Sequence, residues 1–314
     1  MRAITGRLDE LAASNTRLHA RLDGLEESLK EVQSALDDLA GSVGRGLDTL
    51  EQRAMPSIRA ILDEEAENRR RLHRLRAAHD YEVPYQERDP LVSIVIATGG
   101  RPELLQTRSL PSLLAQTHAN LEIVVVGDAA GPETRDAVLA LGDERLSFFD
   151  LSQRITAHAH PRRHWLVGST MARNEAARRA RGNWLLHFDD DDGLRPDAVE
   201  LLLATARSQH AEVAYGGYEE HRPDGTSRTG MGFPPRLGAF SWAGALMHAG
   251  LRFFERELVA AALELPGDMY MLERMLRAGV NFALAETVVL DYYPSTLWRP
   301  DAGPEEDPTG SPPA

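Results

Sequence analysis

The sequence contains no cysteine among its 314 residues. This absence excludes disulfides, zinc–thiolate sites and cysteine nucleophiles. Basic residues are also outnumbered, because 35 Lys and Arg stand against 48 Asp and Glu, for a formal net charge of -13. A chain of this charge repels the phosphates of nucleic acids, so we expect no nucleic-acid partner.

Long hydrophobic runs are missing as well. No window approaches the roughly 18 uncharged apolar residues that a membrane-spanning helix needs. The first ten residues, MRAITGRLDE, lack the apolar segment of a secretory signal peptide. The sequence therefore predicts no transmembrane segment and a cytoplasmic protein, with attachment to a membrane surface through a partner left open.

Apolar residues repeat in alternating steps of four and three along the first 50 residues. They form two columns, one of Ile4, Leu11, Leu18, Leu25, Val32 and Leu39 and the other of Leu8, Leu22, Leu29, Leu36, Val43 and Leu50. This spacing is typical of a coiled coil, with the second column at position a and Asn15 also at a. A buried Asn at a favours a parallel homodimer in fixed register, although Leu at a leaves higher oligomers open. The alternative is one long amphipathic helix folded against its own chain.

From residue 91 the pattern changes to short β-branched runs that alternate with helical segments. Such alternation predicts an α/β fold with a mostly parallel sheet. The predicted strands cover residues 92–97, 121–126, 145–149, 184–188 and 212–215, and the predicted helices cover residues 102–116, 132–140, 169–181 and 196–208. Pro111 should kink the first of these helices or make it restart.

These patterns divide the chain into four parts. We predict a coiled coil over residues 1–53, a helical linker over 54–90 with a second helix from about Ser57, an α/β domain over 91–297 and a disordered tail over 298–314. The tail is rich in proline, glycine and acidic residues, a composition typical of disorder.

Four consecutive acids follow the predicted fourth strand in the segment HFDDDDG, residues 187–193. Side chains alternate along an extended segment, so Asp189 and Asp191 can face one site while Asp190 and Asp192 face away or hold the loop. Carboxylates at the carboxyl end of a strand lie where open α/β sheets bind ligands, and oxygen ligands suit Mn²⁺ or Mg²⁺ together with a diphosphate. The alternative is an acidic cluster that only favours the start of the next helix.

Several segments together resemble family 2 glycosyltransferases of the GT-A fold. They are LVSIVIATGGRPELL, LEIVVVGD, ARNEAARRARGNWLLHFDDDD and GDMYMLERMLRAGV. The resemblance covers roughly residues 90–293 and depends on the order and spacing of all four segments. It implies a Rossmann-like, mostly parallel central sheet with flanking helices, here preceded by an α-helical coiled coil.

The resemblance also implies donor-binding roles for Thr98, Arg101, Asp128, Arg173, Asn174, Asp189 and Asp190. Arg173 is expected near the diphosphate, Asn174 is expected to support its loop, and Asp128 is expected at the uracil or ribose. Asp189 and Asp191 match the family's DxD metal-binding motif, with Asp191 the direct ligand of Mn²⁺ or Mg²⁺.

Asp268 matches the acid that deprotonates the acceptor hydroxyl in inverting members of the family. Its alternative role is that of a helix cap, since Pro266-Gly267-Asp268 opens an apolar helical segment. Trp242 and His248 come from the region in which the family builds its acceptor pocket, although a Trp is often only part of a core.

The chain departs from the family pattern at three positions. Gly99-Gly100 follows the first strand where the family commonly has an aromatic residue that stacks on the base. Gly127-Asp128 ends the second strand where a double acid is common, and Gly267 replaces a glutamate before the catalytic acid. These departures affect the identity of the nucleotide more than the case for sugar transfer.

The sequence thus predicts a metal-dependent inverting glycosyltransferase that moves a sugar from a nucleotide-sugar, favoured as a UDP-sugar, to a glycan or other hydroxyl acceptor. One alternative is a coiled-coil scaffold whose catalytically weak α/β domain has lost turnover or only binds a nucleotide sugar. A nucleotidyltransferase is a third reading, but Gly99-Gly100-Arg101 is a poor phosphate loop. His158, His160 and His164 could form a metal site, but no acids accompany them, and a solvent loop is the preferred interpretation.

Overall fold

Our computed structural model describes residues 2–154 and 166–294, apart from the side chains of residues 2–20, 23, 26 and 49–60. The chain divides into two compact units, residues 1–64 and residues 65–314. Within the described residues, no helix is both long and apolar enough to cross a lipid bilayer. The predicted tail lies outside the described residues.

One helix, α1 (Arg2–Arg76), supplies the whole described backbone of the first unit. The predicted start of a second helix at about Ser57 is wrong, because Pro56 and Ser57 both lie inside this helix. The Ala-, Leu-, Glu- and Arg-rich stretches on both sides are strong helix formers and offset the roughly 3 kcal/mol cost of an internal proline. Along residues 22–43 the apolar columns are 54–70% exposed, in Leu22, Leu25, Leu29, Val32, Leu36, Leu39 and Val43.

Residues 65–90 belong to the second unit and are not the linker that we predicted. Leu72 is buried in the core of that unit. Arg76 donates from Nε and Nη2 to the two carboxylate oxygens of Glu212, both at 2.7 Å, and the Tyr81 hydroxyl donates to the same carboxylate at 2.9 Å. Apolar burial and a buried ion pair therefore fasten this segment to the α/β unit.

Among the described residues the second unit builds one nine-stranded mixed sheet in the order β3-β2-β1-β4-β8-β6-β9-β5, with β7 paired to β6. The strands are β1 (Val92–Thr98), β2 (Leu121–Gly127), β3 (Leu146–Asp150), β4 (Trp184–Asp189), β5 (Gly193–Leu194), β6 (Val213–His221), β7 (Ser227–Gly230), β8 (Ala245–His248) and β9 (Phe282–Tyr292). The first four in chain order are parallel to one another, whereas β8 is antiparallel to both β4 and β6. The sheet is thus parallel in one half and mixed in the other.

Helices cover both faces of this sheet. They are α2 (Val83–Gln86), α3 (Pro102–Leu104), α4 (Leu110–Leu114), α5 (Pro132–Leu139), α6 (Thr170–Arg179), α7 (Ala198–Ser208) and α8 (Gly267–Ala278). A π-helical stretch, Leu105–Ser109, joins α3 to α4. Pro111 follows it closely and cannot donate a backbone hydrogen bond, which fits the restart that we predicted.

The central strands are buried on both sides. Every residue of β1 and β2 is buried, and alternate residues enter two different clusters. Ile94, Ile123 and Leu186 pack with the helices of one face, while Val95, Val124 and Leu185 pack against α6, α8 and the end of α1. Burial on both faces explains why these strands read as continuous apolar runs.

Candidate active site

The predicted site lies where three parallel strands end. Thr98 of β1 lies opposite Gly127 of β2, and Ala97 lies opposite Asp189 of β4. The Asp128 N–H donates to the Thr98 carbonyl oxygen at 2.8 Å, which joins the first two strand ends. One edge of the sheet therefore collects the side chains that follow all three strands, as expected for a ligand site in an open α/β sheet.

Asp190 and Asp191 are held by the end of β1 and the loop after it. Thr98 Oγ1 donates to Asp190 Oδ2 at 2.6 Å, and Arg101 forms ion pairs with both Asp190 and Asp191. Asp190 is 1% exposed. The structure thus brings together four predicted site residues, with Asp190 turned toward Thr98 and Arg101.

Asp189 pairs instead with α6. Arg173 Nη2 lies 2.6 Å from Asp189 Oδ1. Burial alone raises the pKa of Asp189, but Arg173 and Arg256 outweigh burial and hold the pKa below its usual value. Asp189 is therefore charged at neutral pH, with an arginine from α6 beside it.

The next two acids have raised pKa values. Burial, with the charges of Asp189 and Asp190, raises the pKa of Asp191 even though Arg101 opposes the shift. Burial, with the charges of Asp189 and Asp191, raises the pKa of Asp192 well above its usual value. Asp192 Oδ1 accepts the Tyr293 N–H at 2.9 Å, but its buried Oδ2 has no hydrogen-bond partner among the described residues. This crowding of negative charge is what a divalent cation would relieve.

Asp128 lies at the end of β2 and is 4% exposed. Ser169 Oγ donates to Asp128 Oδ2 at 3.3 Å, and Arg154 Nε lies 3.8 Å from the same oxygen. Neither Ser169 nor Arg154 was predicted, because each lies outside the motifs and reaches Asp128 only through folding.

Asn174 supports a segment distant in sequence. Its Nδ2 donates to the Arg256 carbonyl oxygen at 2.9 Å, and its Oδ1 accepts the Arg256 N–H at 3.0 Å. Asn174 thereby fixes the backbone of Arg256 beside α6. Arg256 was not among the predicted residues, and no local pattern in its segment FFERELV distinguishes it from a surface arginine.

Asp268 lies in the first turn of α8, and its Oδ1 accepts the Met269 N–H at 2.8 Å. Its negative charge acts on both Arg173 and Arg256, which places it among the charged groups of this site. Trp242 Nε1 donates to the Asp268 carbonyl oxygen at 2.9 Å. Trp242 is only 2% exposed, so its ring supports Asp268 from the core and offers no open face to a sugar.

His248 does not join these residues. It lies opposite Trp184, at the other end of β4 from Asp189. Its Nε2 contacts the Tyr81 carbonyl oxygen at 3.2 Å, and its Nδ1 accepts the Gly250 N–H at 3.0 Å. With both ring nitrogens engaged and the side chain buried, His248 has a structural role and is not positioned for an acceptor. The predicted loop histidines lie outside the described residues.

Comparison with known proteins identifies the family of this site. The profile described as "Glycosyl transferase family 2" matches residues 93–259, just over half of the chain. The chain belongs to glycosyltransferase family 2. The match spans β1 to the segment of Arg256 and includes every predicted donor residue, whereas Asp268 lies beyond its end.

Curated relatives match over parts of their length. The chain is 28% identical over 144 residues to the succinoglycan biosynthesis protein ExoO of Rhizobium meliloti (strain 1021), covering 46% of this chain and 38% of that protein. It is 27% identical over 139 residues to the putative teichuronic acid biosynthesis glycosyltransferase TuaG of Bacillus subtilis (strain 168), covering 44% and 50%. It is 28% identical over 131 residues to the UDP-Glc:alpha-D-GlcNAc-diphosphoundecaprenol beta-1,3-glucosyltransferase WfgD of Escherichia coli, covering 42% and 47%. The chain thus spans half or less of these relatives.

A solved structure confirms the fold. The crystal structure of S. aureus TarS residues 1–349 in complex with UDP matches with a TM-score of 0.50 and 17% identity, covering 65% of this chain and 60% of that chain. This likeness supports the GT-A architecture that the resemblance implied.

Two departures from the family 2 pattern have local explanations. Arg154 lies over Gly99, where its Nη2 donates to the Gly99 carbonyl oxygen at 2.6 Å and its Nε donates to the Asp128 carbonyl oxygen at 3.0 Å. A Cβ added at Gly99 would lie 3.4 Å from that guanidinium. Arg154 therefore occupies the space beside the β1 end where an aromatic side chain was expected.

The second departure is Gly127, which pairs with Asp150 on the neighbouring strand. A Cβ added at Gly127 would come within 2.3 Å of Asp150 Oδ1. The Asp150 carboxylate is held there by the N–H groups of Ala130 and Gly131, at 3.0 and 2.9 Å. The Asp150 carboxylate of β3 thus fills the space that a side chain at position 127 would need.

A second cluster of acidic side chains lies on β6 and β9. Within residues 2–154 and 166–294, one set of three side chains has the spacing of a metal site, namely Glu219, His221 and Asp291. Arg195 Nη2 already lies 2.8 Å from Glu219 and 2.9 Å from Asp291. Because a guanidinium fills this group, we interpret it as an ion-pair network that links β6 and β9.

Proposed function

We propose that this chain is a metal-dependent, inverting glycosyltransferase that uses a nucleotide-sugar donor. The observation that carries the proposal is one sheet edge at which the DxD carboxylates, Arg173 and Asp268 lie within one electrostatic environment. Membership of glycosyltransferase family 2 supports the reaction class.

The donor would bind along the strand ends. Asp128 and Thr98 are buried where β1 and β2 finish, and Arg154 covers the adjacent Gly99. These groups suit hydrogen bonding to a nucleoside, while Arg173 suits its diphosphate. A UDP-sugar is our favoured donor, and the name of the relative WfgD, which states UDP-Glc, agrees with it.

The acid run would hold the metal through Asp191, with Asp189 beside it. When bound, Mn²⁺ or Mg²⁺ would supply positive charge to the diphosphate as it departs. Because Arg101 pairs with Asp191 in this structure, metal binding requires the Arg101 guanidinium to release that carboxylate. Arg101 then becomes available to the donor phosphates.

The transfer itself would be a single displacement. The acceptor hydroxyl oxygen bonds to the anomeric carbon while the bond from that carbon to the phosphate oxygen breaks, and the electron pair leaves with the diphosphate. Asp268 accepts the hydroxyl proton, and Arg173 binds the charge that develops on the leaving group. Attack from the side opposite the diphosphate inverts the anomeric centre.

The acceptor would be a saccharide or another hydroxyl compound. Two relatives are named for the biosynthesis of succinoglycan and teichuronic acid. These names favour a growing polysaccharide as the class of acceptor. Trp242 and His248, which the sequence suggested for this role, are buried, so other residues must contact the acceptor.

The first unit would join two copies of the chain as a parallel coiled coil. Its apolar columns keep the heptad spacing and are more than half exposed over residues 22–43. About three heptads of such exposure favour a partner helix of the same spacing. We therefore propose a homodimer in which each copy carries its own active site.

The decisive experiment is calorimetric titration with a panel of nucleoside diphosphates, with and without Mn²⁺. We expect one nucleotide to bind in a Mn²⁺-dependent manner, and Asp191→Ala to abolish that dependence because the metal loses its direct ligand. Glu220→Ala, which removes a carboxylate from the β6–β7 hairpin, is the matched control. Failure of the wild-type chain to bind any nucleotide would overturn the proposal and favour the scaffold function.

A further inference from the structure

Arg256 is fixed in place by α6. The segment that carries it connects two short 3-10 helices, Ala249–Phe253 and Leu258–Leu263. Both polar atoms of the Asn174 side chain bind its backbone, at 2.9 and 3.0 Å. Since Arg173 is the neighbour of Asn174 in α6, this clamp places Arg256 beside the proposed diphosphate-binding arginine.

The electrostatic surroundings of Arg256 are those of the active site. Burial, followed by the charge of Arg173, lowers the pKa of Arg256 to about 10, while Asp268 and Asp189 oppose this shift. Two arginines therefore face the same small region between the DxD motif and the proposed base.

These two arginines differ in their partners. Arg173 pairs with Asp189 at 2.6 Å. The side chain of Arg256, by contrast, makes no hydrogen bond or ion pair within residues 2–154 and 166–294, and its Nε is buried without a partner. Burial of a guanidinium in this state is unfavourable unless another group binds it.

The acids next to Arg256 in sequence are already engaged. Glu255 binds Arg178 at 2.8 Å, and Glu257 binds Arg274 at 2.7 Å. Both glutamates pair with arginines of α6 and α8. The positive charge of Arg256 therefore remains available to the active site.

We infer that Arg256 is an anion-binding residue of the active site and that its ligand is a phosphate or carboxylate group of the substrate. The inference rests on the proposed function, since that function supplies the substrate. The anion has two possible sources, which are the diphosphate of the donor and an acidic group on the transferred sugar. In either case Asn174 is a positioning residue that acts through Arg256.

The test measures binding of defined probes to full-length protein by calorimetry. The probes are inorganic pyrophosphate, UDP, UDP-glucose and UDP-glucuronate, and the variants are Arg256→Met and Arg256→Lys. Arg178→Gln is the matched control, because it removes an arginine that binds the same segment from the outer side of α6. Melting temperatures of all variants show whether the fold is intact.

We expect Arg256→Met to weaken the binding of at least one anionic probe about tenfold, or about 1.4 kcal/mol. Arg256→Lys should bind that probe with intermediate affinity, and Arg178→Gln should bind it with wild-type affinity. A loss for pyrophosphate and UDP identifies the donor diphosphate as the anion. Unchanged UDP affinity with a selective loss for UDP-glucuronate over UDP-glucose identifies a sugar carboxylate.

Unchanged affinity for all four probes in a folded Arg256→Met variant would overturn the inference while leaving the proposed function intact. If the wild-type chain binds pyrophosphate but no nucleotide, the proposed function fails. The pyrophosphate affinity of Arg256→Met still decides the role of Arg256 in that case. Asn174→Ala should produce part of the same loss, and the Asn174→Ala, Arg256→Met double variant should add little to it. If the losses of affinity in the two single variants add up in the double variant, Asn174 does not act through Arg256.

Discussion

Leucine has opposite surroundings in the two units of this protein. In the first unit, the described leucines of the heptad columns are more than half exposed, namely Leu22, Leu25, Leu29, Leu36 and Leu39. In the second unit, many leucines of the sheet and its helices are completely buried, among them Leu105, Leu110, Leu113, Leu185 and Leu186. The same residue type thus completes a core within the chain in one unit and presents an apolar stripe in the other.

This difference teaches how the two units depend on other molecules. The α/β unit forms its core from strands and helices of the same chain, so its stability does not need a second copy. A single helix has no second layer of its own against which to bury a stripe. In the proposed homodimer the first unit would gain its packing from the partner helix, whereas the second unit would need only its substrates from outside.

The largest expected effect tests whether the α/β unit alone carries the chemistry. We expect Asp268→Asn to lower kcat by about 10²–10⁴-fold, because an amide cannot accept the acceptor's proton. The amide keeps the hydrogen bond from the Met269 N–H, so the helix start is preserved. Release of the nucleoside diphosphate measures the rate, and sedimentation should show an unchanged oligomer. A kcat within a few-fold of the wild type would exclude Asp268 as the base.

The second prediction concerns the exposed apolar columns of the first unit. We expect Leu29→Lys with Leu36→Lys to convert the dimer to monomer, because two charges would enter the a positions of the seam. Nucleotide affinity, measured on the same sample, should stay unchanged. Glu27→Lys with Ser34→Lys adds the same residues at f positions on the outer face and should leave the dimer intact. A stable dimer in the Leu29, Leu36 variant would contradict the coiled coil.

The smallest effects compare an ion pair from each unit. Glu212 is fully buried and pairs with Arg76 at 2.7 Å, whereas Lys30 and Glu27 are exposed and 3.7 Å apart. We expect Arg76→Met to lower the free energy of unfolding by about 3 kcal/mol, since it leaves a buried carboxylate without its cation. Lys30→Ala should leave the melting temperature unchanged.

The stability difference between the wild type and Arg76→Met should depend on pH, and the pKa of Glu212 determines the direction of that dependence. Burial raises the pKa of Glu212, but its hydrogen bonds with Arg76 and with the Asn281 N–H bring the pKa below 4.5. A carboxyl whose pKa is lowered by folding contributes stability above its unfolded pKa and loses it as the pH falls through the folded pKa. Thermal unfolding should therefore show the largest gap between wild type and Arg76→Met near neutral pH and a smaller gap below about pH 4.5. A gap that widens on acidification would contradict this account.

Local sequence patterns predicted much of the second unit. The strands β1, β2 and β4 begin where we predicted and extend one residue farther, because continuous β-branched runs are typical of strands buried on both faces. The acid run after β4 was recognisable for the same reason, since four carboxylates directly follow a buried strand. The strands β8 and β9 were not predicted, because they depend on antiparallel pairing or on a mixture of polar and apolar residues.

The site was predictable in its motifs and not in its contacts. Thr98 and Arg101 were identified through the family resemblance and the acid run through its position after a strand, and the structure brings them together. Arg154, Asp150 and Arg256 were missed because each reaches the site from a segment without a motif. His248 was assigned to the acceptor by its region of the chain, yet the antiparallel pairing of β8 carries it to the far end of β4.

The sequence by itself determined the heptad stripe, the buried parallel strands and the acidic segment that follows one of them. Each of these is a short-range pattern, in which the period or order of neighbouring residues sets the local structure. Only the tertiary structure decided which arginine meets which carboxylate. Asn174 and Arg256 lie 82 residues apart in the chain, and Arg101 and Asp191 lie 90 apart. Such pairings follow from the order of strands in the sheet, which no local pattern encodes.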